Sequence, residues 1–214
     1  MDVEELIARY PRVYHMAEKD TWPSIRQRGL LSTSAALDLV GINGDQRFAI
    51  ESCHRPDKIA VGIGANQIVL RDQKPMAPER LKKALQGELR PQEWYEAING
   101  KVFFWVAEDR LLGLLNAREY RNLEHDVLTI DANMLVKAYA PQIWLCHMNS
   151  GNTFPFPHPR DLSVFRRIKD YPVNSRGGPK KPVVELLVDG KIPDIAKFVV
   201  DVRRMHGPNI LRHL

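Results

Sequence analysis

The stretch Pro182-Val183-Val184-Glu185-Leu186-Leu187-Val188-Asp189-Gly190 constrains the fold more than any other part of the chain. A short apolar run bounded by turn residues reads as a strand, here with a carboxylate in its middle. Alternation puts Val183, Glu185 and Leu187 on one face and Val184, Leu186 and Val188 on the other, so Glu185 has apolar neighbours on both. An unpaired carboxylate in such a place costs several kcal/mol or takes up a proton, so it needs partners or a task. The alternative is an edge strand with Glu185 in solvent, the usual setting of a lone acid.

The rest of the chain supplies the means to bury such a strand. With 214 residues, 44% of them hydrophobic, it is long enough for one domain spanning 1–214 with a full core. The 31 Lys+Arg and 26 Asp+Glu are unevenly placed: from Arg160 to Leu214 there are twelve basic against six acidic residues, leaving 19 against 20 elsewhere. A basic surplus in the same quarter as Glu185 suits a polyanionic partner such as nucleic acid, or solvated faces. Cys53 and Cys146 are the only cysteines, so no disulfide framework or Cys-rich zinc site is expected, and a reducing compartment is. The start Met1-Asp2-Val3-Glu4-Glu5 lacks the features of a signal peptide, and no apolar run approaches about 18 residues, so a soluble cytoplasmic protein with no membrane association is expected.

Short helices and strands mix without regular alternation, which points to α+β architecture. Helices are expected at Val3–Arg9, at Asp20–Gly29 with Pro23 in the first turn and glycine at the end, from a cap at Ser34 through Leu39, and from Gly44 to His54. Further helices are expected over 78–86, 91–98, 107–117 and after a cap at Asp131. Strands are expected at Arg12–Met16, within Lys58–Asp72 around a glycine turn, and at Lys101–Val106, Asp126–Asp131 and Gln142–His147. Another begins at Leu162–Phe165, and a last strand spans Lys197–Arg203. Asn149–Pro159 is a long loop of the kind that is more often functional or mobile than idle, and 174–181 is a basic connector.

Several chemistries lack an anchor. Gly62 and Gly64 follow an apolar run, but Gln67 stands where a dinucleotide-binding third glycine belongs and no helix pattern follows. The seven histidines include no i, i+4 pair, so no metal site is expected. Neither a nucleophile elbow nor a phosphate loop occurs.

The order of the remaining features carries a resemblance. A strand ending Tyr14-His15-Met16, a Trp-x-Ser-Ile-x-x-x-Gly-Leu helix with a serine-rich turn, the aromatic strand Val102-Phe103-Phe104-Trp105 and a late strand with a central glutamate together resemble the ADP-ribosyltransferase fold. "VYHMAEKDTWPSIRQRGLLS" and "VVELLVDGKIPDI" are similar to the opening and the glutamate segment of the DarT-type DNA ADP-ribosyltransferase toxins. Arg71-Asp72-Gln73, Val102–Trp105 and Asn149-Ser150-Gly151 are also similar to segments of an uncharacterised bacterial family. The chain departs from the pattern in having Phe or Trp where a tyrosine is frequent, and Met16 where several branches have glycine. The fold implied is a split mixed or antiparallel sheet with flanking helices.

The activity implied is ADP-ribosyl transfer from NAD, without a metal, in a toxin or defence enzyme. A nucleic-acid acceptor (DNA or RNA) is expected, with a protein acceptor as an alternative and an antitoxin as a possible partner. Glu185 would stabilise the positive charge that develops on the ribose. His15 would hold a ribose hydroxyl, the Met16 backbone the nicotinamide amide, and one of Phe103, Phe104 and Trp105 would stack on nicotinamide. Alternation pairs Phe103 with Trp105 on one face, so all three cannot serve one cleft. Ser32 and Ser34 could donate to ribose or phosphate, although turn and cap roles also account for them. Arg71 and Arg55 are alternatives for the pyrophosphate, Arg71 preferred. Asn149 and Arg160 could reach acceptor or cofactor. Other readings are an RNA 2′-phosphotransferase-like enzyme or NAD glycohydrolase of the same fold, and a non-enzymatic nucleic-acid-binding or antitoxin-like module.

Overall fold

The computed structural model describes residues 1–64 and 67–214. Its strands are β1 (Arg12–Glu18), β2 (Leu30–Leu31), β3 (Ile59–Val61), β4 (Ile68–Leu70), β5 (Lys101–Trp105), β6 (Glu124–Asp131), β7 (Ile143–Cys146), β8 (Phe165–Arg167), β9 (Glu185–Asp189), β10 (Lys191–Ile192), β11 (Val199–His206) and β12 (Asn209–His213). Eight of them form one sheet in the order β12-β11-β6-β1-β5-β9-β7-β8, and every pairing in it is antiparallel. This is an α+β arrangement. The Gly62 and Gly64 pair belongs to the β3–β4 hairpin, both with positive φ; the remainder of that expected turn, Ala65 and Asn66, lies outside the described residues.

The helices are α1 (Val3–Arg9), α2 (Trp22–Arg28), α3 (Thr33–Leu39), α4 (Gly44–Glu51), α5 (Pro78–Ala84), α6 (Pro91–Asn99), α7 (Glu108–Leu115) and α8 (Ala132–Tyr139). Their starts follow from side chains that satisfy orphan backbone donors: Asp2 accepts from Glu5 N and Asp131 from Met134 N. The cap of α3 is Ser32, which accepts from Ala35 N at 3.1 Å, and not Ser34, which lies inside the helix. The helix expected over Gly44–His54 stops at Glu51. At the end of α2, Gly29 has φ +88° and an added Cβ would stand 2.4 Å from Pro193 Cα, so only glycine lets the turn after α2 pass the segment following β10.

Both faces of the sheet are covered. Val13, Ala17, Val102, Phe104, Leu128, Ile130, Leu186 and Val188 are buried on one face together with Leu6 of α1 and Leu135 and Val136 of α8. On the other face Leu187 and Phe103 pack with Leu81, Trp94 and Tyr95 from α5 and α6. Met16, Val127 and Met205 pack there against Leu111 and Leu115, one turn apart on α7. Each such leucine, fully buried, contributes about 1.5–3 kcal/mol.

Two features position the site. The first is a parting in the sheet: β1 pairs with β6 along its length, from Arg12 to Glu18, but with β5 only through Tyr14↔Trp105. The second is a buried ion pair at the end of β1. Arg204 on β11 donates from Nε to Asp126 at 2.6 Å and from Nη2 to Asp20 at 2.6 Å. Asp126 also accepts from Trp22 N, so the start of α2 is tied to the sheet.

β9 lies between β5 and β7, so the edge-strand alternative for Glu185 does not hold. The last strand runs longer than expected, over Val199–His206, and a further strand, β12, follows it. The β11–β12 turn uses Gly207 at φ +54°. The segment Asn209–His213 is exposed throughout, so it lacks the half-buried alternation that marks a strand in sequence.

Candidate functional site

Where β1 and β5 part, a cleft of about 1470 Å³ opens, lined by Tyr14, His15 and Met16, by Phe103, Phe104 and Trp105, and by Glu185. The ends of α2, the segment 67–76, α7 and residues of the 149–154 loop complete its walls. Cross-strand register sets Tyr14, Trp105, Glu185 and Cys146 in one row across four strands, and directly opposed residues in an antiparallel sheet share a face. Phe103 and Trp105 are therefore on the face of Glu185, both half-buried, while Phe104 turns to the other face and is buried. Glu185 and His15, 170 positions apart, line the same cleft.

Glu185 is 4% exposed. Among the described residues Ser150 alone satisfies it by hydrogen bonding: the hydroxyl donates to Oε2 at 2.7 Å and the backbone N–H is shared between both oxygens at 3.2 Å. Burial pushes its pKa up to about 7, against the Ser150 hydrogen bonds and the Arg160 charge, which favour the carboxylate. A carboxyl group balanced between its two forms at neutral pH can take or give a proton and, when ionised, can face a developing positive charge.

His15 Nδ1 lies 2.8 Å from the Phe103 carbonyl oxygen. A carbonyl only accepts, so Nδ1 carries the proton and Nε2 of the neutral ring is an acceptor. Burial, reinforced by the Arg71 charge and opposed by the Phe103 bond, lowers its pKa to about 4. The imidazole is therefore neutral at pH 7.

The two arginine alternatives separate. Arg55 is 7% exposed and spends its guanidinium on protein acceptors: Arg71 O at 2.7 Å, Ile50 O at 2.8 Å, Asn99 Oδ1 at 3.3 Å and Thr33 Oγ1 at 3.4 Å. Burial lowers its pKa to about 10. It braces the segment that carries Arg71 and also lines the cleft, with its guanidinium hydrogen bonds directed to protein acceptors. Arg71 makes one long hydrogen bond, from Nη1 to Met16 O at 3.4 Å, and lies over the Tyr120 ring at 4.9 Å. Among the described residues it has no carboxylate partner, so its charge is available to the cleft. Met16, whose carbonyl accepts that bond, also lines the cleft.

The remaining expectations divide. Ser32 lines the cleft, but its hydroxyl caps α3 and the residue is 2% exposed. Ser34 does not line the cleft, and its hydroxyl faces Gly100, so its expected contact is corrected. Asn149 lines the cleft with its Oδ1 accepting from Gly151 N at 3.1 Å. Arg160, expected at the acceptor or cofactor, is 1% exposed and donates to Ser150 O at 2.9 Å, Asn152 O at 2.7 Å and His158 O at 3.1 Å. Its position is corrected from a ligand contact to the anchor of the loop that holds Glu185.

Ser150, Tyr120 and Asp72 were not singled out from sequence. Tyr120 lines the cleft beneath Arg71 and donates to Asp72 Oδ1 at 2.8 Å. The Asn149-Ser150-Gly151 segment carried a weak signal for Ser150; Tyr120, in a polar turn after α7, carried none. Among the described residues no group of three or more His, Cys, Asp and Glu side chains is placed to hold a metal ion, and no helix is long and apolar enough to cross a membrane.

No curated protein matches the chain. Residues 11–199 match the Family of unknown function (DUF7002), and the chain belongs to that family.

Proposed function

We propose that the protein is an NAD-dependent mono-ADP-ribosyltransferase with the split sheet of that fold, acting as a bacterial toxin or defence enzyme on a nucleic-acid acceptor, with an antitoxin as its regulatory partner. The observation that carries the reading is one cleft lined by a serine-held glutamate, half-buried aromatic rings on the glutamate's face and, among the described residues, a histidine with a free acceptor nitrogen and an arginine without a carboxylate partner.

These residues suit NAD. Arg71 presents an unpaired cation to the diphosphate. His15 Nε2 accepts from a ribose hydroxyl, and Trp105, the cross-strand neighbour of Glu185, offers a flat ring to nicotinamide. Breaking the bond between ribose and nicotinamide leaves positive charge on the ribose. In the ground state the positive charge sits on the nicotinamide ring; an ionised Glu185, fixed by two donors of Ser150, attracts it more strongly once it has moved onto the ribose and neutral nicotinamide leaves, and so lowers the barrier. The apolar row around Glu185 strengthens the attraction and limits water as a competing acceptor. With its pKa near 7, Glu185 also takes the proton released by an attacking acceptor.

The test is incubation of the purified chain with NAD labelled in the adenylate portion and with separate pools of DNA, RNA and protein. Label on a nucleic-acid pool is expected. Nicotinamide release with no transfer to any pool points to a glycohydrolase, and no NAD consumption refutes the reading.

A further inference from the structure

The loop that fixes Glu185 also holds an aromatic ring out in solvent. Phe154 is 64% exposed and lines the cleft, four residues after Ser150. The backbone beneath it is pinned from several sides: Arg160 on Ser150 O and Asn152 O, Arg80 on Thr153 O at 2.8 Å and Pro155 O at 2.6 Å, and Thr153 on Pro75 O through both its N–H and its hydroxyl. An exposed phenylalanine gains nothing for the fold by being held in this way. The Arg80 guanidinium lies over the ring, 5.0 Å from its centroid, and most of the residue stays exposed.

We propose that Phe154 is the stacking platform for a base of a single-stranded nucleic-acid acceptor. The proposal deepens the transferase reading and rests on it for the chemistry that follows binding. A ring backed by a cation and largely exposed takes a flat π-system, which every nucleobase offers. The setting is basic: Arg80, Lys82 and Lys83 lie on α5, and none of them has a carboxylate partner among the described residues, with Glu79 the one acid on that helix. Such a surface complements the phosphates that flank a splayed base. Four residues span at most about 14 Å, so an acceptor seated on Phe154 is within reach of Glu185. A base paired in a duplex has no free face, hence the single strand.

The acceptor KM is measured from label transferred out of NAD to a mixed-sequence single-stranded oligonucleotide, with nicotinamide release in the absence of acceptor measured in parallel. Phe154→Ala is expected to raise the acceptor KM roughly 5- to 150-fold, the loss of one base stack. Phe154→Trp is expected to restore the KM. Phe156→Ala, at a ring 71% exposed outside the cleft, is expected to leave it unchanged. An unchanged KM in Phe154→Ala overturns the proposal, as do equal losses in both alanine variants, the pattern of an apolar patch that docks a protein. A second readout needs no turnover: Phe154→Trp fluorescence should be quenched by the oligonucleotide beyond any change in the parent's own tryptophans. Quenching without NAD consumption supports the platform and refutes the transferase reading. NAD consumption without added quenching, with label on protein alone, refutes the platform and leaves the transferase.

Discussion

Ser150 is the residue on which the ionisation of Glu185 turns, and removing its hydroxyl has a calculable consequence. The Oγ–H donates to Glu185 Oε2 at 2.7 Å inside a site where the carboxyl is 4% exposed. A hydrogen bond to a charged group is worth about 1.5–3 kcal/mol, and only a small part of that is recovered when the carboxyl is neutral. In Ser150→Ala the protonated form therefore gains about 13- to 160-fold over the carboxylate. With the parent balanced near pH 7, the ionised fraction at that pH falls from about one half to between about 7% and about 1%. The assay is the pH dependence of nicotinamide release. The parent rate should climb through pH 7 and level off; the variant should be roughly 7- to 80-fold slower at pH 7 and recover most of the loss above pH 9. Recovery at high pH separates a change in ionisation from a damaged fold. A profile that keeps its midpoint, or a loss equal at every pH, would refute the reasoning.

The other predictions concern the groups that hold this arrangement. Glu185 has a folded pKa near 7 against an ordinary value of 4.5, so the folded chain keeps a proton that the unfolded chain releases between those limits. Its contribution to stability is present below about pH 4.5 and is lost as pH rises through about 7. In urea denaturation, Glu185→Gln should gain on the parent by about 2–3 kcal/mol between pH 5 and pH 8. His15 and His125, both lowered to about 4, act in the opposite sense between about 4 and 6.5, and they cancel when variant and parent are compared at each pH. Arg160→Ala strands three backbone acceptors and should cost about 3 kcal/mol or more in the same assay; a loss under about 1 kcal/mol would contradict its anchoring role. Asp126→Ala leaves Arg204, 4% exposed, without its one fully buried carboxylate among the described residues, Asp20 and Glu124 being more exposed, and should cost about 3 kcal/mol in urea denaturation.

What could be read from sequence followed the range over which each signal acts. Strand alternation is local, so Phe103 and Trp105 were correctly set on one face and Phe104 on the other. The Pro182–Gly190 run was enough to mark a strand, but its interior place depends on β5 and β7, which no local pattern reports. Caps were legible where the side chain has one task, as at Asp131, and misassigned where two serines stood two residues apart, as at Ser32 and Ser34. Arginines were the least legible. Arg55, Arg71 and Arg160 look alike in sequence, yet two are consumed by buried main-chain carbonyls and one faces the cleft. Ser150 met Glu185 across 35 positions through a loop whose path Arg160 sets, a contact carried by tertiary structure alone.

In the proposed transferase Glu185 drives cleavage of NAD. The most direct measurement is nicotinamide release by the purified chain and by Glu185→Gln at pH 8, with folding of both verified by denaturation. Release by the parent is expected, with a fall to the uncatalysed background in the variant. Undiminished release by a folded Glu185→Gln, or none from the parent, would contradict it.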